Sequence, residues 1–342
     1  MPLKGIGAWQ GQEHGSINQG SGLMNLVAIT VNYRTAPGTL RALPSLVAEV
    51  AAVDGRVIVV DNDSQDGSFE ILCRGAADLV ESSRVEVVAS GKNGGFGFGN
   101  NVGIRRAFEA DPRPKYLLFI NPDAVPQPGA VARLVAYLEA HPEVGIAGSA
   151  LRSTDGHRDA AAFRFPSILG ELEAGARLGF LTRLLERWVI APPAESPPDP
   201  PDWVSGTCFM VRTRVLDEVG CFDEGFFLYF EETELCYRIR HAGWQVATVP
   251  DSLVVHDDGT STGIADVARR MPRYWFESRR RFFVKAYGPG YHYAATLMWA
   301  LGFASWRIRR RLQGKPDTDR PHLLEDFLRY SLGPNRQVKE PS

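Results

Sequence analysis

Short apolar runs alternate with helically spaced apolar positions through the first 150 residues of the chain. Near-continuous apolar runs are typical of parallel strands that are buried on both faces. They predict strands at Leu26–Tyr33, Arg56–Val60, Val85–Val88, Tyr116–Ile120 and Val144–Ala147. The spacing between them predicts helices near Gly38–Val53, Asn100–Ala110 and Pro128–Ala140, with a further helix before Val85. This alternation predicts an α/β fold with a Rossmann-like, doubly wound, mostly parallel sheet.

The pattern is less regular after residue 150. We interpret His157–Trp188 as a helical insertion and the proline-rich stretch Ala191–Pro201 as a loop or linker. Regular elements then return as strands at Trp203–Val211, Gln245–Val249 and Leu253–His256, with a helix at Glu231–Ala242. The Gly-, Gln- and Ser-rich segment Met1–Gly22 contains no apolar core, so we predict a loose tail rather than a signal peptide.

Polar residues follow three of the predicted strands, at Tyr33, Asp61 and Asn121–Asp123. In doubly wound sheets ligands bind beyond the carboxyl ends of the strands, so these residues are candidates for a ligand site. The Asp123 carboxylate is suited to hold a divalent cation while a diphosphate supplies further oxygens. Taken alone, however, Asn-Pro-Asp favours an Asx-type turn.

Three further segments are candidates for chemistry. The glycine-rich stretch Gly91–Gly103 allows close backbone approach and leads into a helix, but it is equally consistent with a surface turn. Glu231, Glu232 and Glu234 crowd a helix start behind an aromatic stretch. They cap that helix, or else their apolar surroundings raise their proton affinity and suit them to accept a proton. His256, at another strand end, is either a metal ligand or a hydrogen-bonded structural residue.

The charges restrict the possible partners of the chain. With 38 basic and 40 acidic side chains the net charge is −2, so the whole protein is not built to coat nucleic acid. The four cysteines show no zinc or disulfide spacing and indicate a reducing, cytoplasmic compartment. An uncharged stretch at Ala286–Trp306 lies between arginine clusters and is short for a bilayer span. It predicts either a basic amphipathic helix at the membrane interface or a helix packed on the domain.

Taken in order, these segments resemble the family 2 glycosyltransferases of the GT-A fold, particularly the bacterial rhamnosyltransferase-like branch. The resemblance covers roughly residues 24–262. It is carried by Val31-Asn32-Tyr33, Asp61-Asn62-Asp63-Ser64, Asn93–Gly97, Asn100–Gly103, Asn121-Pro122-Asp123, Ser205-Gly206, Gly220–Tyr229, Glu231–Cys236, and His256 with Gly259 and Ser261. It implies a GT-A domain over 23–262 with a nucleotide-sugar half near 23–150 and an acceptor half near 203–262. We expect a disordered tail over residues 1–22 and a helical extension over 263–342 that either associates with a membrane or packs on the domain.

The resemblance also implies roles for individual residues. Nucleotide-sugar binding falls to Asn32, Tyr33, Asp61, Asn93, Asn101, Asn121, Asp123 and Gly206. Asp123 and His256 would hold Mg²⁺ or Mn²⁺. Glu232 stands where the family places its catalytic base, Glu231 is the alternative base, and Glu234 would orient the acceptor. Two departures from the family pattern matter: Asn121 replaces the first acid of the metal motif, and glutamates replace the usual aspartates at 232 and 234.

The resemblance implies an inverting transfer from a nucleoside-diphosphate sugar to an acceptor hydroxyl. We expect dTDP-rhamnose or a UDP-hexose as donor and a bacterial surface polysaccharide or lipid-linked glycan as acceptor. We place this activity in the cytoplasm at the inner face of the plasma membrane, with peripheral membrane contact and no nucleic-acid partner. Two alternatives stay open: a catalytically weakened sugar-nucleotide-binding protein, and a nucleotidyltransferase on a similar scaffold.

Overall fold

The computed structural model of the protein describes residues 25–256 and 266–333, and the predicted tail Met1–Gly22 lies outside these ranges. The strands are β1 (Leu26–Asn32), β2 (Gly55–Asp61), β3 (Val85–Ala89), β4 (Tyr116–Ile120), β5 (Ala124–Pro126), β6 (Val144–Ser153), β7 (Arg158–Asp159), β8 (Ala162–Phe163), β9 (Trp203–Val204), β10 (Cys208–Arg212) and β11 (Gln245–His256). The helices are α1 (Ala36–Ala51), α2 (Ser68–Gly75), α3 (Ala77–Glu81), α4 (Phe96–Phe108), α5 (Ala130–Ala140), α6 (Ile168–Ala176), α7 (Gly179–Leu184), α8 (Thr213–Val219), α9 (Glu231–His241), α10 (Arg273–Tyr287), α11 (Pro289–Leu312) and α12 (Leu323–Leu332).

Within the described ranges, nine strands form one central sheet in the order β3-β2-β1-β4-β10-β6-β11-β5, with β7 paired to β6. Strands β1 to β4 run parallel, whereas β10 runs antiparallel to both β4 and β6. Helices α1, α2 and α5 cover one face of the sheet, and α4, α8 and α9 cover the other. This arrangement confirms the predicted doubly wound, mostly parallel sheet.

The structure corrects three predicted elements. Trp203–Val211 is not one strand, because β9 pairs with β8 in a separate two-stranded sheet and a turn at Ser205 precedes β10. The two strands predicted between Gln245 and His256 form the single strand β11, which carries an irregularity between Val249 and Leu253. The predicted helical insertion at 157–188 begins with β7 and β8 and becomes helical only from Ile168.

The C-terminal helices pack on the rest of the chain. A buried ion pair joins Arg279 of α10 to Glu171 of α6 at 2.8 Å. Helices α6 and α11 approach so closely that a Cβ atom on Gly175 would lie 2.4 Å from the carbonyl oxygen of Trp299. No helix in the described ranges has both the length and the apolarity that a bilayer crossing requires. The division at residue 262 into a GT-A domain and an extension stays a prediction.

Candidate active site

A buried polar cluster lies at the carboxyl ends of β1 and β2. Asn32 and Asp61 face each other across the two strands, and Asn32 Nδ2 donates to Asp61 Oδ1 at 2.8 Å. The Thr39 hydroxyl donates to Asn32 Oδ1 at 3.0 Å, and the Ser64 hydroxyl donates to Asp61 Oδ1 at 2.6 Å. Tyr33, the next residue along the chain, is partly exposed. The sequence thus brings Asn32 and Asp61 into one hydrogen-bonded network at a strand end.

A cavity of about 600 Å³ opens beside this cluster. Its lining includes Asp61, Asp63, Phe69, Ala89 and Gly91, so it lies between the ends of β2 and β3 and the start of α2. Its volume falls within the range of small-molecule and cofactor sites. The position agrees with the general rule that ligands of such sheets bind beyond the strand ends.

The glycine-rich stretch is held to this region through side-chain amides. Asn62 Nδ2 donates to Asn93 Oδ1 at 3.0 Å and to the Gly95 carbonyl at 3.1 Å. Gly95 has a φ of +89°, and a Cβ atom there would lie 1.8 Å from the carbonyl oxygen of Phe227. The close approach that this glycine permits is therefore to the segment before α9. Helix α4 begins at Phe96, four residues earlier than the predicted Asn100.

Asn101 has both ends of its amide occupied by the same segment. Its Nδ2 donates to the Phe222 carbonyl and to Glu224, each at 2.9 Å, and its Oδ1 accepts from the Phe222 N–H at 3.0 Å. The side chain is 5% exposed. Asn101 is thus a clamp between α4 and the chain that leads into α9, and its predicted contact with the nucleotide stays a prediction.

Asp123 and His256 come together because β5 pairs with the end of β11. The register places His256 opposite Ala124, the residue after Asp123. His256 Nε2 lies 3.1 Å from Asp123 Oδ1 and 3.4 Å from the Asn121 side-chain amide. Both Asp123 and His256 are largely buried. Three residues that the sequence predicts at two separate strand ends thus form one group.

The donor atoms of this group fit a divalent cation. A carboxylate oxygen and a neutral imidazole nitrogen are ligands that Mn²⁺ accepts, and an oxygen-rich diphosphate completes such a set. His256 Nε2 and Asp123 Oδ1 lie 3.1 Å apart, so the imidazole lone pair and a carboxylate oxygen would both face a cation bound between them. Within the described ranges, no third His, Cys, Asp or Glu joins the pair.

Strained backbone precedes the acidic start of α9. Tyr229 and Phe230, neither of them glycine, have φ values of 70° and 69°. Consecutive residues in this region are costly and tend to cluster at functional sites. They turn the chain so that Glu231 is buried and Glu232 lies against Gly206, where a Cβ atom would sit 3.5 Å from Glu232 Oε1. The tight turn at Gly206 is therefore fitted to the Glu232 carboxylate.

Glu231 and Glu232 each retain a buried carboxylate oxygen, Oε2, that has no hydrogen-bond partner among the described residues. Burial raises the pKa of Glu232 to about 7, although backbone N–H groups, including that of Gly206, oppose the rise. Burial, reinforced by the charge of Glu232, raises the pKa of Glu231 well above its ordinary value. A carboxylate with a pKa near neutrality is matched to general-base catalysis.

Glu234 differs from its two neighbours because both of its oxygens are paired. Arg238 binds it through two nitrogens, at 2.8 and 2.9 Å, and Lys285 of α10 lies 2.7 Å away. Arg238 also donates to the Gly220 and Cys221 carbonyls. Glu234 therefore anchors the segment before α9 and helix α10, and its role toward the acceptor stays a prediction.

Sequence reasoning missed several residues that shape this site. Burial alone would raise the pKa of Asp223, but hydrogen bonds from Arg281 and Lys285 outweigh it and lower that pKa to about 2. Asn62 carries the link to the glycine-rich stretch, as described above. Asn62 lies in Asp61-Asn62-Asp63-Ser64, directly after the apolar run of β2, so the sequence could have predicted its position at this strand end. Arg281 and Lys285 lie more than 50 residues away on α10, and no spacing rule connects them to Asp223.

Comparison with known proteins agrees with this geometry. The family described as "Glycosyltransferase like family 2" matches residues 25–283. The N-acetylglucosaminyl-diphospho-decaprenol L-rhamnosyltransferase of Mycobacterium tuberculosis is 30% identical over 253 residues, which cover 70% of this chain and 78% of that protein. The dTDP-rhamnosyl transferase RfbF of Shigella flexneri is 25% identical over 235 residues, 69% of this chain and 70% of that protein.

Solved structures show the same fold. A mannosyltransferase from Pyrobaculum calidifontis, PcManGT, in complex with GDP-Man and Mn²⁺, superposes with a TM-score of 0.53 at 18% identity. The superposition covers 87% of this chain and 78% of that chain. The predicted family resemblance and GT-A fold are thereby confirmed. This chain belongs to glycosyltransferase family 2 and is a glycosyltransferase of the GT-A fold.

Proposed function

We propose that the protein transfers a sugar, with inversion, from a nucleoside-diphosphate sugar to an acceptor hydroxyl. One observation carries the proposal: a short chain of contacts joins a metal-binding pair to a base with a pKa near 7. The side chain of Asn121 lies beside His256, and its backbone N–H donates to the Thr207 carbonyl at 2.9 Å. Gly206, the residue before Thr207, lies against Glu232. Leaving-group stabilisation and proton removal are the two tasks that such a transfer needs.

The donor would occupy the cavity beside Asp61. Asn32, Tyr33, Asp61 and Asn93 would shape the nucleoside end, and Asn121 and Gly206 would border the diphosphate. Asp123 and His256 would hold Mg²⁺ or Mn²⁺, which when bound neutralises charge on the departing diphosphate. Mn²⁺ is our first choice, supported by the PcManGT complex that contains GDP-Man and Mn²⁺.

Glu232 would remove the proton from the acceptor hydroxyl as that oxygen attacks the anomeric carbon. Its partnerless Oε2 supports this assignment, because a base needs a lone pair that no neighbour occupies. Glu231 would stay protonated behind it and keep the pair to a single negative charge, since two adjacent buried carboxylates do not both ionise readily. Glu234 would hold helix α9 in place through Arg238 and Lys285.

We further propose dTDP-rhamnose as donor and a lipid-linked glycan as acceptor. The names of two relatives support this choice, one as a dTDP-rhamnosyl transferase and one as an enzyme of a diphospho-decaprenol substrate. An acceptor of that kind sits in a bilayer, so the enzyme would work at the inner face of the plasma membrane, within bacterial surface polysaccharide or glycan synthesis. UDP-hexoses remain the second group of donors. The family match does not favour either a nucleotidyltransferase or a weakened binding protein.

A panel of nucleotide sugars tests the proposal. The melting temperature of the full chain is measured with each donor, in the presence of Mn²⁺ and after chelation. We expect dTDP-rhamnose with Mn²⁺ to give the largest stabilisation, because a ligand at a hundredfold excess over its dissociation constant stabilises by about 2.7 kcal/mol. Chelation should remove most of that effect. If no nucleotide sugar raises the melting temperature in a metal-dependent way, the proposed donor site is wrong.

A further inference from the structure

Helix α11 presents an unusual apolar stripe to solvent. Tyr293, Leu297, Leu301, Ile308 and Leu312 are all exposed, with Ile308 61% and Leu312 83% accessible. At 100° per residue these five positions fall within an arc of about 100° on the helix. The opposite side of α11, with His292, Ala295 and Phe303, is buried against the neighbouring helices. The exposed face of α11 therefore has the pattern predicted for a helix at the membrane interface. Its buried face has the pattern predicted for a helix packed on the domain.

Helix α7 extends the apolar stripe. Phe180 is 73% exposed, and Leu184 and Leu178 are exposed beside it. Arg309 of α11 donates to the Ala176 carbonyl, only three residues before α7 begins. Arg177 lies over the ring of Trp306 at 5.7 Å. These contacts hold the start of α7 beside the C-terminal half of α11, and we call the two exposed faces together the α7–α11 surface.

The charges of the α7–α11 surface are mainly positive. Helix α11 contains no Asp or Glu, and the segment 174–187 contains one acid, Glu186, against three arginines. Seven arginines lie on or next to these two helices: Arg177 and Arg310 form ion pairs, Arg309 binds the Ala176 carbonyl, and the other four are Arg183, Arg187, Arg307 and Arg311. None of the four has a carboxylate within ion-pair distance in the described part of the chain, unlike Arg310, which is paired with Asp317 and Asp319. Exposed apolar side chains thus lie among arginines that outnumber the acids near them, Glu186 and Asp317.

We propose that the α7–α11 surface docks on an anionic lipid bilayer. Leucine, isoleucine and phenylalanine side chains enter the boundary between headgroups and acyl chains, while the arginines contact lipid phosphates. A second copy of the chain is a poorer occupant, because a two-fold contact through this surface would bring the same arginines of both copies together. The inference rests on the proposed function only for the location of the acceptor.

Direct contacts connect the helices of the α7–α11 surface to helix α9, which carries the proposed base Glu232. Helix α10, which precedes α11, carries Lys285 in contact with Glu234 at 2.7 Å. The Ala286 carbonyl at its end accepts a hydrogen bond from Tyr237 of α9 at 2.8 Å. Docking of α11 would therefore fix the orientation of α9 relative to the bilayer. A lipid-linked acceptor would then approach Glu232 from a constant direction.

Sedimentation of the full chain with vesicles tests the proposal without any donor or acceptor, so its outcome does not depend on transferase activity. Vesicles of phosphatidylglycerol and phosphatidylcholine are compared with pure phosphatidylcholine at low and high salt. We expect at least about tenfold stronger binding to the anionic vesicles, decreasing as salt rises. Equal, weak binding to both vesicle types would overturn the proposal.

Paired variants locate the contact. Leu301→Glu with Ile308→Glu, and separately Phe180→Glu with Leu184→Glu, should each weaken vesicle binding at least about tenfold. Ile71→Glu with Val80→Glu is the control, because these apolar side chains are also exposed but lie on α2 and α3. It should change binding less than about twofold. Replacing Arg183, Arg187, Arg307 and Arg311 by Gln should remove the preference for anionic vesicles, whereas Arg133→Gln with Arg214→Gln should retain it.

Melting temperatures separate loss of docking from loss of fold. All replaced positions are exposed except Arg307, which is half-buried, so each variant should melt within a few degrees of the parent chain. Folded variants of both helices that bind anionic vesicles as well as the parent would exclude this surface. A concentration-dependent dimer that Leu301→Glu with Ile308→Glu abolishes, in a chain that ignores vesicles, would assign the surface to a second copy and overturn the proposal.

Discussion

The polar cluster at Asn32 and the acidic start of α9 are both buried, yet only the first is saturated with hydrogen bonds. Asp61 accepts from Asn32 Nδ2, from the Ser64 hydroxyl and from the Ser64 N–H at 3.1 Å. Glu231 and Glu232 keep partnerless buried oxygens in the described part of the chain. A buried polar group without a partner costs about 1–3 kcal/mol, so the folded state bears this cost at the glutamates of α9 and avoids it at the Asp61 carboxylate. The difference suits the cluster at Asn32 and Asp61 to shape a pocket, and the start of α9 to bind a reactant.

The same contrast exists within α9 itself. Glu234 is held by Arg238 and Lys285. Glu232, half a turn earlier, lies against Gly206, and its Oε2 has no hydrogen-bond partner among the described residues. The positive φ angles of Tyr229 and Phe230 add local strain directly before these residues. Strain and unsatisfied polarity persist where the surrounding structure over-determines them. Here the surrounding structure includes Asn101 and the Arg238 contacts, which fix the chain on both sides of the strained turn.

The largest expected effect separates the two regions by their readouts. Replacing Asp123 and His256 together by Ala should lower kcat/KM at least about 10⁴-fold, because it removes both protein ligands of a cation worth several kcal/mol of transition-state stabilisation. It should also abolish the metal-dependent rise in melting temperature that a donor produces. Initial rates and thermal shifts check the two effects. Retention of Mn²⁺-dependent donor binding in this variant would show that the metal binds elsewhere.

The second effect concerns the acceptor region alone. Glu232→Gln should lower kcat about 10²–10⁴-fold, the usual range for a lost general base, while metal-dependent donor binding persists. Glu234→Gln is the matched control on the same helix: it should weaken the ion pairs to Arg238 and Lys285 and reduce stability by about 1–3 kcal/mol. Single-turnover rates and urea unfolding measure the two effects. If Glu232→Gln turns over normally while Glu231→Gln does not, the base is Glu231.

The donor region was largely predictable from the sequence, because strand periodicity places Asn32, Asp61 and Asn121 at strand ends. Parallel pairing then brings such ends to one edge of the sheet. Parallel β1 and β2 place Asn32 opposite Asp61, and the β5–β11 ladder places His256 beside Asp123. A short-range pattern combined with one topological rule was therefore enough to predict that Asn32 and Asp61 lie close together. The pairing of Asp123 with His256 came instead from the family resemblance, because β5 is an antiparallel strand that the pattern did not predict.

The acceptor region and the C-terminal helices were less predictable. The i,i+4 spacing of Glu234 and Arg238 hints that Glu234 is paired, but its second partner, Lys285, lies some 50 residues later and could not be predicted from spacing. The break at Ser205–Thr207 was missed, although Ser205-Gly206-Thr207 interrupts the apolar residues on either side and is typical of a turn. For α11, periodicity indicates two faces but not which helix covers one of them. Gly175 of α6 and Gly302 of α11 allow the two helices to pack closely, but a glycine in a helix does not by itself indicate which helix lies against it.

The third effect tests the junction between the two regions. Gly95→Ala should destabilise the protein by about 2–4 kcal/mol or displace the segment before α9, because its Cβ atom would lie 1.8 Å from the Phe227 carbonyl oxygen. Gly91→Ala is the matched control, since Gly91 also has a positive φ, +77°, but has no atom within 4 Å of such a Cβ. That variant should cost only about 1–2 kcal/mol. Equal unfolding energies for the two variants would mean that the contact with Phe227 yields easily.

The smallest effect is the pH dependence, in which activity and stability should change in opposite directions. Burial raises the pKa of Glu232 to about 7, so the ionised base is lost below that pH and activity should fall about tenfold per unit. Stability should change in the opposite direction. A pKa raised by folding contributes stability that is complete below the ordinary glutamate value and is lost as pH rises through about 7. The parent chain should therefore lose melting temperature between pH 5 and pH 8 relative to Glu232→Gln, by about 2–4 °C per kcal/mol. Asp223, with its pKa lowered to about 2, does not titrate in this interval. A parallel pH dependence of melting in the parent and in Glu232→Gln would show that the glutamate is already ionised at pH 5, and the proposed tuning of the base would then be wrong.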